Sequence, residues 1–169
     1  MKCKRPTHAQ VSAVLKYDPE TGDVRWRVTL NGGAKAGGIA GCVEKRGHGA
    51  YRAIRLFGHK QYAHRIAWLL KTGEWPEDYV DHKDGDGLNN KWGNLRKATP
   101  SQNRCNSRRS SRNRSGYKGV GEKRNGKHTV TIGKGKCKQV VGRYACPKEG
   151  HEAYKEAARE TFGEFARFD

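Results

Sequence analysis

Apolar positions along the chain recur at helical spacing in some stretches and alternate in others, and the switches mark out the elements. Thr7-His8-Ala9-Gln10 offers a capping box, and Val11, Val14 and Leu15 follow at helical spacing, so a short helix is expected before Tyr17. The turn Asp18-Pro19-Glu20-Thr21-Gly22 closes it. Val24, Trp26 and Val28 then alternate with Arg25 and Arg27 as a half-buried strand would, and a glycine-rich loop runs from Asn31 to Gly41. A second strand is predicted around Tyr51 to Leu56. After a turn at Gly58-His59-Lys60, residues Ala63, Ile66, Ala67, Leu69 and Leu70 share one helical stripe, with Gly73 where a helix ends on glycine.

The second half repeats these devices. Thr99-Pro100-Ser101-Gln102 is again a capping box, with proline at the first helical position, which places Asn103 on the first turn of a helix. Three short strands are expected from Tyr117 to Gly121, Lys127 to Gly133 and Lys138 to Tyr144, the first two joined by the hairpin pair Asn125-Gly126. A helix starts near Pro147, with Ala153/Tyr154, Ala157/Ala158 and Thr161/Phe162 on one face. With His128, Val130 and Ile132 turned toward that helix, Lys127, Thr129 and Thr131 point away and leave a polar sheet face open.

Charge changes the picture more than composition does. Lys and Arg number 35 against 17 Asp and Glu, a net charge of +18, so a polyanionic partner is expected. Hydrophobic residues make up 34% and glycines number 22, which favours small, turn-rich units over one large core. No acidic residue occurs between Gly87 and Gly121. Within that stretch residues 106–115 carry no apolar side chain and read as a basic linker, with Arg104, Arg108, Arg109, Arg112 and Lys118 available to DNA phosphates. The five cysteines, Cys3, Cys42, Cys105, Cys137 and Cys146, are dispersed and odd in number, which points to free thiols in a reducing cytoplasm. No apolar run long enough for a membrane span occurs.

The chemistry concentrates in Val80-Asp81-His82-Lys83-Asp84-Gly85-Asp86-Gly87-Leu88-Asn89-Asn90. It is not a calcium loop, since no glutamate closes a twelve-residue count from Asp84 or Asp86. A strand ending in Asp81-His82, a loop, and a helix offering Asn103 would instead let Asp81 and Asn103 share one hard cation through oxygen. His64, at the start of an apolar helix, reads as a packing histidine, and Trp26, Trp68, Trp75 and Trp92 as core or loop anchors.

The string from Tyr62-Ala63-His64-Arg65-Ile66-Ala67-Trp68 through Val80-Asp81-His82 and Asn94-Leu95 to Gln102-Asn103 resembles the HNH endonucleases of phage and intron origin, in the variant ending in Asn. The turn after Tyr17, followed by Trp26, is similar to the same group. The resemblance implies a ββα-metal nuclease unit in which Asp81 and Asn103 hold a divalent metal, His82 activates water and Asn94 braces the loop. The ion expected is Mg²⁺, with Mn²⁺ as the alternative. Residues from Ser115-Gly116-Tyr117-Lys118-Gly119-Val120 to Phe162-Gly163 resemble an AP2 DNA-binding domain, with Gly150 interrupting its helix. By that resemblance Lys123, Asn125, Thr129, Thr131 and Lys138 occupy groove-facing places.

The expected protein is thus α+β. A nuclease domain fills residues 1–105, with its motif core at 62–105, then a linker at 106–115 and an AP2-like three-stranded sheet plus helix at 116–169. The expected function is a homing-type DNA endonuclease acting as a monomer that nicks one strand of duplex DNA, with transient dimers on DNA as a variant. The rival is a non-catalytic DNA-binding regulator that keeps the Asp81-His82 loop as a relic.

Overall fold

The Thr7 hydroxyl accepts a hydrogen bond from the Gln10 amide and the Thr7 amide donates to Gln10 Oε1 in return, which opens helix α1 (His8–Val14). The computed structural model describes residues 5–30, 32–47, 49–134 and 137–169. Leu15, expected on the helix, is already extended and begins strand β1 (Leu15–Tyr17), which pairs antiparallel with β2 (Val24–Trp26). Leu15 is fully buried, and the strand places it opposite Trp26 without lengthening a seven-residue helix.

A second sheet follows, β3 (Cys42–Arg46), β4 (Gly49–Leu56) and β5 (His59–Tyr62), in sequence order and antiparallel. Strand β3 has no counterpart in the sequence reading. Its residues are exposed or nearly so, and a strand with no buried face has no apolar alternation to announce it. Helix α2 (Ala63–Thr72) ends on Gly73 in the left-handed region, as its position suggested. The last pair, β6 (Tyr79–His82) and β7 (Leu95–Ala98), is antiparallel, with a 3₁₀ turn at Trp92–Asn94 leading into β7. Val11, Leu15, Val24, Ile54, Ile66 and Leu69 anchor one buried cluster. Trp26 joins it, Trp68 and Trp92 pack ring to ring at 5.0 Å, and the Trp75 indole donates to the Pro6 carbonyl.

The chain divides into two compact units at Met1–Ala98 and Thr99–Asp169. That division precedes the expected one at 105/106, so helix α3 (Pro100–Cys105) falls in the second unit. Residues 106–115 are tied down rather than free. Asn106 is buried, the Asn113 amide donates to the carbonyls of Tyr117 and Val120, and the Ser115 hydroxyl donates to Val120 at 2.7 Å. Polar side chains with neighbouring carbonyls to bind order this segment without any apolar residue.

Strands β8 (Val120–Arg124), β9 (Lys127–Lys134) and β10 (Cys137–Tyr144) form an antiparallel sheet with β9 central, backed by α4 (Pro147–Phe162). Asn125 and Gly126 both take positive φ, the conformation a two-residue hairpin turn requires. Gly150 does not interrupt α4. It lies buried within it, where a Cβ would stand 2.9 Å from Val130 Cγ2, so the glycine lets helix and sheet approach. Val120, Val130, Ile132, Tyr154 and Ala158 form this unit's core. Among the described residues no helix is long and apolar enough to cross a membrane.

Gly119 combines φ +79° with a Tyr154 ring 2.0 Å from where a Cβ would sit. Gly119→Ala is therefore expected to destabilise the second unit by about 3 kcal/mol in urea unfolding, against about 1 kcal/mol for Gly126→Ala, which has similar φ but open surroundings. Equal costs would contradict this packing.

Candidate active site

Asp81 and His82 end β6, opposite Arg96 and Leu95 of β7. The antiparallel register sets Arg96 directly across from Asp81, and the guanidinium donates through Nε to Asp81 Oδ2 at 3.0 Å, with Nη2 at 2.9 Å. Both side chains are buried, so removing either partner would strand a charge away from water.

His82 is 5% exposed, and its Nε2 lies 3.1 Å from Asn90 Oδ1. The Asn90 amide nitrogen donates to the Leu88 carbonyl, which leaves the oxygen facing the imidazole. An amide oxygen only accepts, so this contact favours the His82 tautomer with its proton on Nε2 and its lone pair on Nδ1. Asn90 is itself 3% exposed.

The loop between the strands is braced from within. Asn94 and Asp84 bond reciprocally: the Asp84 amide donates to Asn94 Oδ1 at 3.1 Å, and Asn94 Nδ2 donates to Asp84 Oδ1 at 2.9 Å and to the Asn89 carbonyl at 2.8 Å. Partial burial pushes the Asp84 carboxyl up, but hydrogen bonds from the Asp86 amide, Asn94 and Asn89 outweigh it and hold its pKa below the usual value. The Gly85 amide donates to the His82 carbonyl, which turns the chain sharply after the histidine. Gly87 then passes so close to β4 that a Cβ would meet the Ala50 carbonyl and the Tyr51 ring at 2.4 Å.

Rings pack around His82. The His64 ring is edge-on at 5.0 Å, Tyr51 lies at 6.1 Å, and Tyr62 stacks on His64 at 5.7 Å. Burial, reinforced by His82 and Arg65, lowers the His64 pKa to about 3, so this ring stays neutral throughout the working range.

Of the residues singled out by sequence, Asp81, His82 and Asn94 stand on adjoining positions of one strand pair and its loop. Asn103 is half-buried on α3 in the second unit. Arg104, Arg108, Arg109, Arg112, Lys123, Asn125 and Lys138 are exposed, and Thr129 and Thr131 are half-buried on β9. Lys118 is half-buried: its ammonium donates to the carbonyls of Cys105 and Ser107, and burial lowers its pKa to about 8. These two bonds clasp the segment around Cys105 to Ser107. Asn90 and Arg96 escaped the sequence reading. The doubled Asn89-Asn90 was the only signal for the first, and the second is legible only once the register of β6 and β7 is known.

A carboxylate is a hard oxygen donor, so the chemistry of Asp81 suits a divalent ion that keeps several waters.

Residues 61–105 match the model of the HNH endonuclease family. An uncharacterized HNH endonuclease of Acanthamoeba polyphaga mimivirus is 35% identical over 109 residues, covering 63% of this chain and 56% of that protein. The chain thus spans little more than half the length of this relative. No solved structure matches it.

His64 ties stability to pH. Its folded pKa of about 3 lies below the ordinary 6.5, so the unfolded chain binds a proton that the folded one refuses. Stability from this group is complete above pH 6.5 and falls on acidification toward pH 3, by at most about 1.4 kcal/mol per pH unit. Urea unfolding of wild type and His64→Phe across this window should show a flatter acid limb in the variant. An identical limb would contradict a neutral, buried His64.

Proposed function

We propose that the chain is a metal-dependent DNA endonuclease of homing type, with His82 as the general base. The observation that carries this reading is the buried contact of His82 Nε2 with Asn90 Oδ1 at 3.1 Å, which favours the tautomer with its lone pair on Nδ1. The match of residues 61–105 to the HNH endonuclease family supports it independently. In this reading Nδ1 takes a proton from a water positioned in line with the leaving 3′ oxygen of a phosphodiester. The ring packing around His82 and its bond to Asn90 hold the imidazole for that step. Asn94 keeps the loop closed beneath it through Asp84 and Asn89.

Asp81 and Asn103 would hold the divalent cation, Mg²⁺ in this account and Mn²⁺ as the alternative, which when bound neutralises charge on the phosphate and the leaving oxygen. Arg96 orients Asp81 from the neighbouring strand. Arg46 and Lys60 stand 5.7 and 6.0 Å from the Tyr62 ring, so positive charge borders the ring cluster where a phosphodiester would approach. The exposed Arg104, Arg108, Arg109 and Arg112 are assigned to phosphates. The AP2-like sheet, through Lys123, Asn125, Thr129, Thr131 and Lys138, is assigned to groove contact. One base serves one in-line displacement, so a monomer nicks one strand.

Supercoiled plasmid incubated with Mg²⁺ should relax through nicking, and His82→Ala and Asp81→Ala should each lose on the order of a hundredfold or more in rate. Undiminished cutting by both variants would remove the proposed site, and tight DNA binding without any cutting by wild type would favour a DNA-binding regulator. Replacing Arg108, Arg109 and Arg112 together by glutamine should lower the slope of log Kd against log salt by about 3 units, since each phosphate contact contributes about 0.9. An unchanged slope would place the phosphate contacts elsewhere.

A further inference from the structure

The turn Asp18-Pro19-Glu20-Thr21-Gly22 and the tyrosine before it touch neither Asp81 nor His82 among the contacts described, yet they grip the segment that orients His82. The Tyr17 hydroxyl donates to the Asn90 carbonyl at 2.7 Å across 73 positions of sequence. The Trp92 amide donates to the Pro19 carbonyl at 2.9 Å. Gly22, at φ +81°, lies so close that a Cβ would stand 2.6 Å from the Lys91 nitrogen and 2.7 Å from the Asn90 carbonyl carbon. Three successive residues, Asn90, Lys91 and Trp92, are therefore held by Tyr17 and the turn after it, and the first of them places its amide oxygen 3.1 Å from His82 Nε2.

We propose that Tyr17 is a positioning residue for this site, and that the turn from Asp18 to Gly22 is a rigid brace that fixes Asn90 and, through it, the ring orientation and tautomer of His82. The inference rests on His82 being the general base. The brace has the stiffness the role needs. Asp18 Oδ1 accepts from the amides of Glu20 and Thr21, the Gly22 amide donates to the Asp18 carbonyl, and the Asp18 amide donates to the Asp23 carbonyl. Tyr17 itself is fixed in β1 by pairing with Val24 of β2. Its hydroxyl is a dependable donor, since burial first and the nearby carboxylates of Asp18 and Glu20 second hold its pKa well above the usual tyrosine value. Tertiary packing alone would need a ring at position 17 but no hydroxyl.

Tyr17→Phe deletes that hydroxyl and keeps the ring. Three quantities should be read on the full chain: the single-turnover nicking rate, the Kd for duplex DNA, and the His82 ring nitrogens by NMR of histidine-labelled protein. The expected result is a rate about tenfold lower, a Kd within about twofold of wild type, and an Nε2–H signal of His82 partly replaced by the Nδ1–H tautomer. Gly22→Ala, which pushes the turn off the loop, should reproduce this split. Unchanged rate and unchanged ring signals in both variants would overturn the brace, as would a loss confined to Kd or to thermal stability. Should wild type fail to nick DNA, the functional reading falls, and the ring signals still decide: a tautomer shift in Tyr17→Phe supports the brace, its absence overturns it.

Discussion

A neutral imidazole can take a proton only at the ring nitrogen that lacks one, and at His82 the Asn90 amide oxygen, 3.1 Å from Nε2, favours a proton there and a lone pair on Nδ1. Asn90 accepts from Nε2 in a setting where both residues are almost entirely buried, so no water competes for the contact. Much of the first unit can be understood as what it takes to keep that bond. The amide must not rotate, hence its second bond to Leu88. The loop must not open, hence the reciprocal Asp84–Asn94 pair. The imidazole must not swing, hence the rings of Tyr51 and His64 beside it.

The neighbouring carboxylate is governed by a different constraint. Asp81 is buried, and a buried charge requires a partner. Arg96 supplies one from the directly opposed position on β7, so β-register rather than sequence proximity decides the carboxylate's orientation. His64 solves the converse problem. A second cation beside His82 would oppose any charge His82 gains, and burial keeps His64 neutral.

Local signals in the sequence carried well where they have local causes. Both capping boxes, the glycine ending α2 and the Asn125-Gly126 hairpin are satisfied by atoms within a few residues, and each occurs where it was read. Features that depend on distant partners were not legible. Strand β3 has no buried face, Leu15 leaves its helix to oppose Trp26, and residues 106–115 look like a linker until Asn113 and Ser115 find the carbonyls of Tyr117 and Val120. The site divides along the same line. Asp81, His82 and Asn94 are recognisable as residue types at a spacing, whereas Asn90, Arg96 and the grip of Tyr17 exist only through contacts that folding creates.

The central claim is the proposal that His82 is the general base and that Asn90 sets which of its ring nitrogens carries the proton, and Asn90→Ala tests it most directly. The single-turnover nicking rate of that variant, compared with wild type and with His82→Ala at equal DNA occupancy, should fall by on the order of tenfold or more while DNA affinity and the circular dichroism of the fold are kept. A folded Asn90→Ala protein that nicks DNA at the wild-type rate, beside an inactive His82→Ala protein, would contradict it.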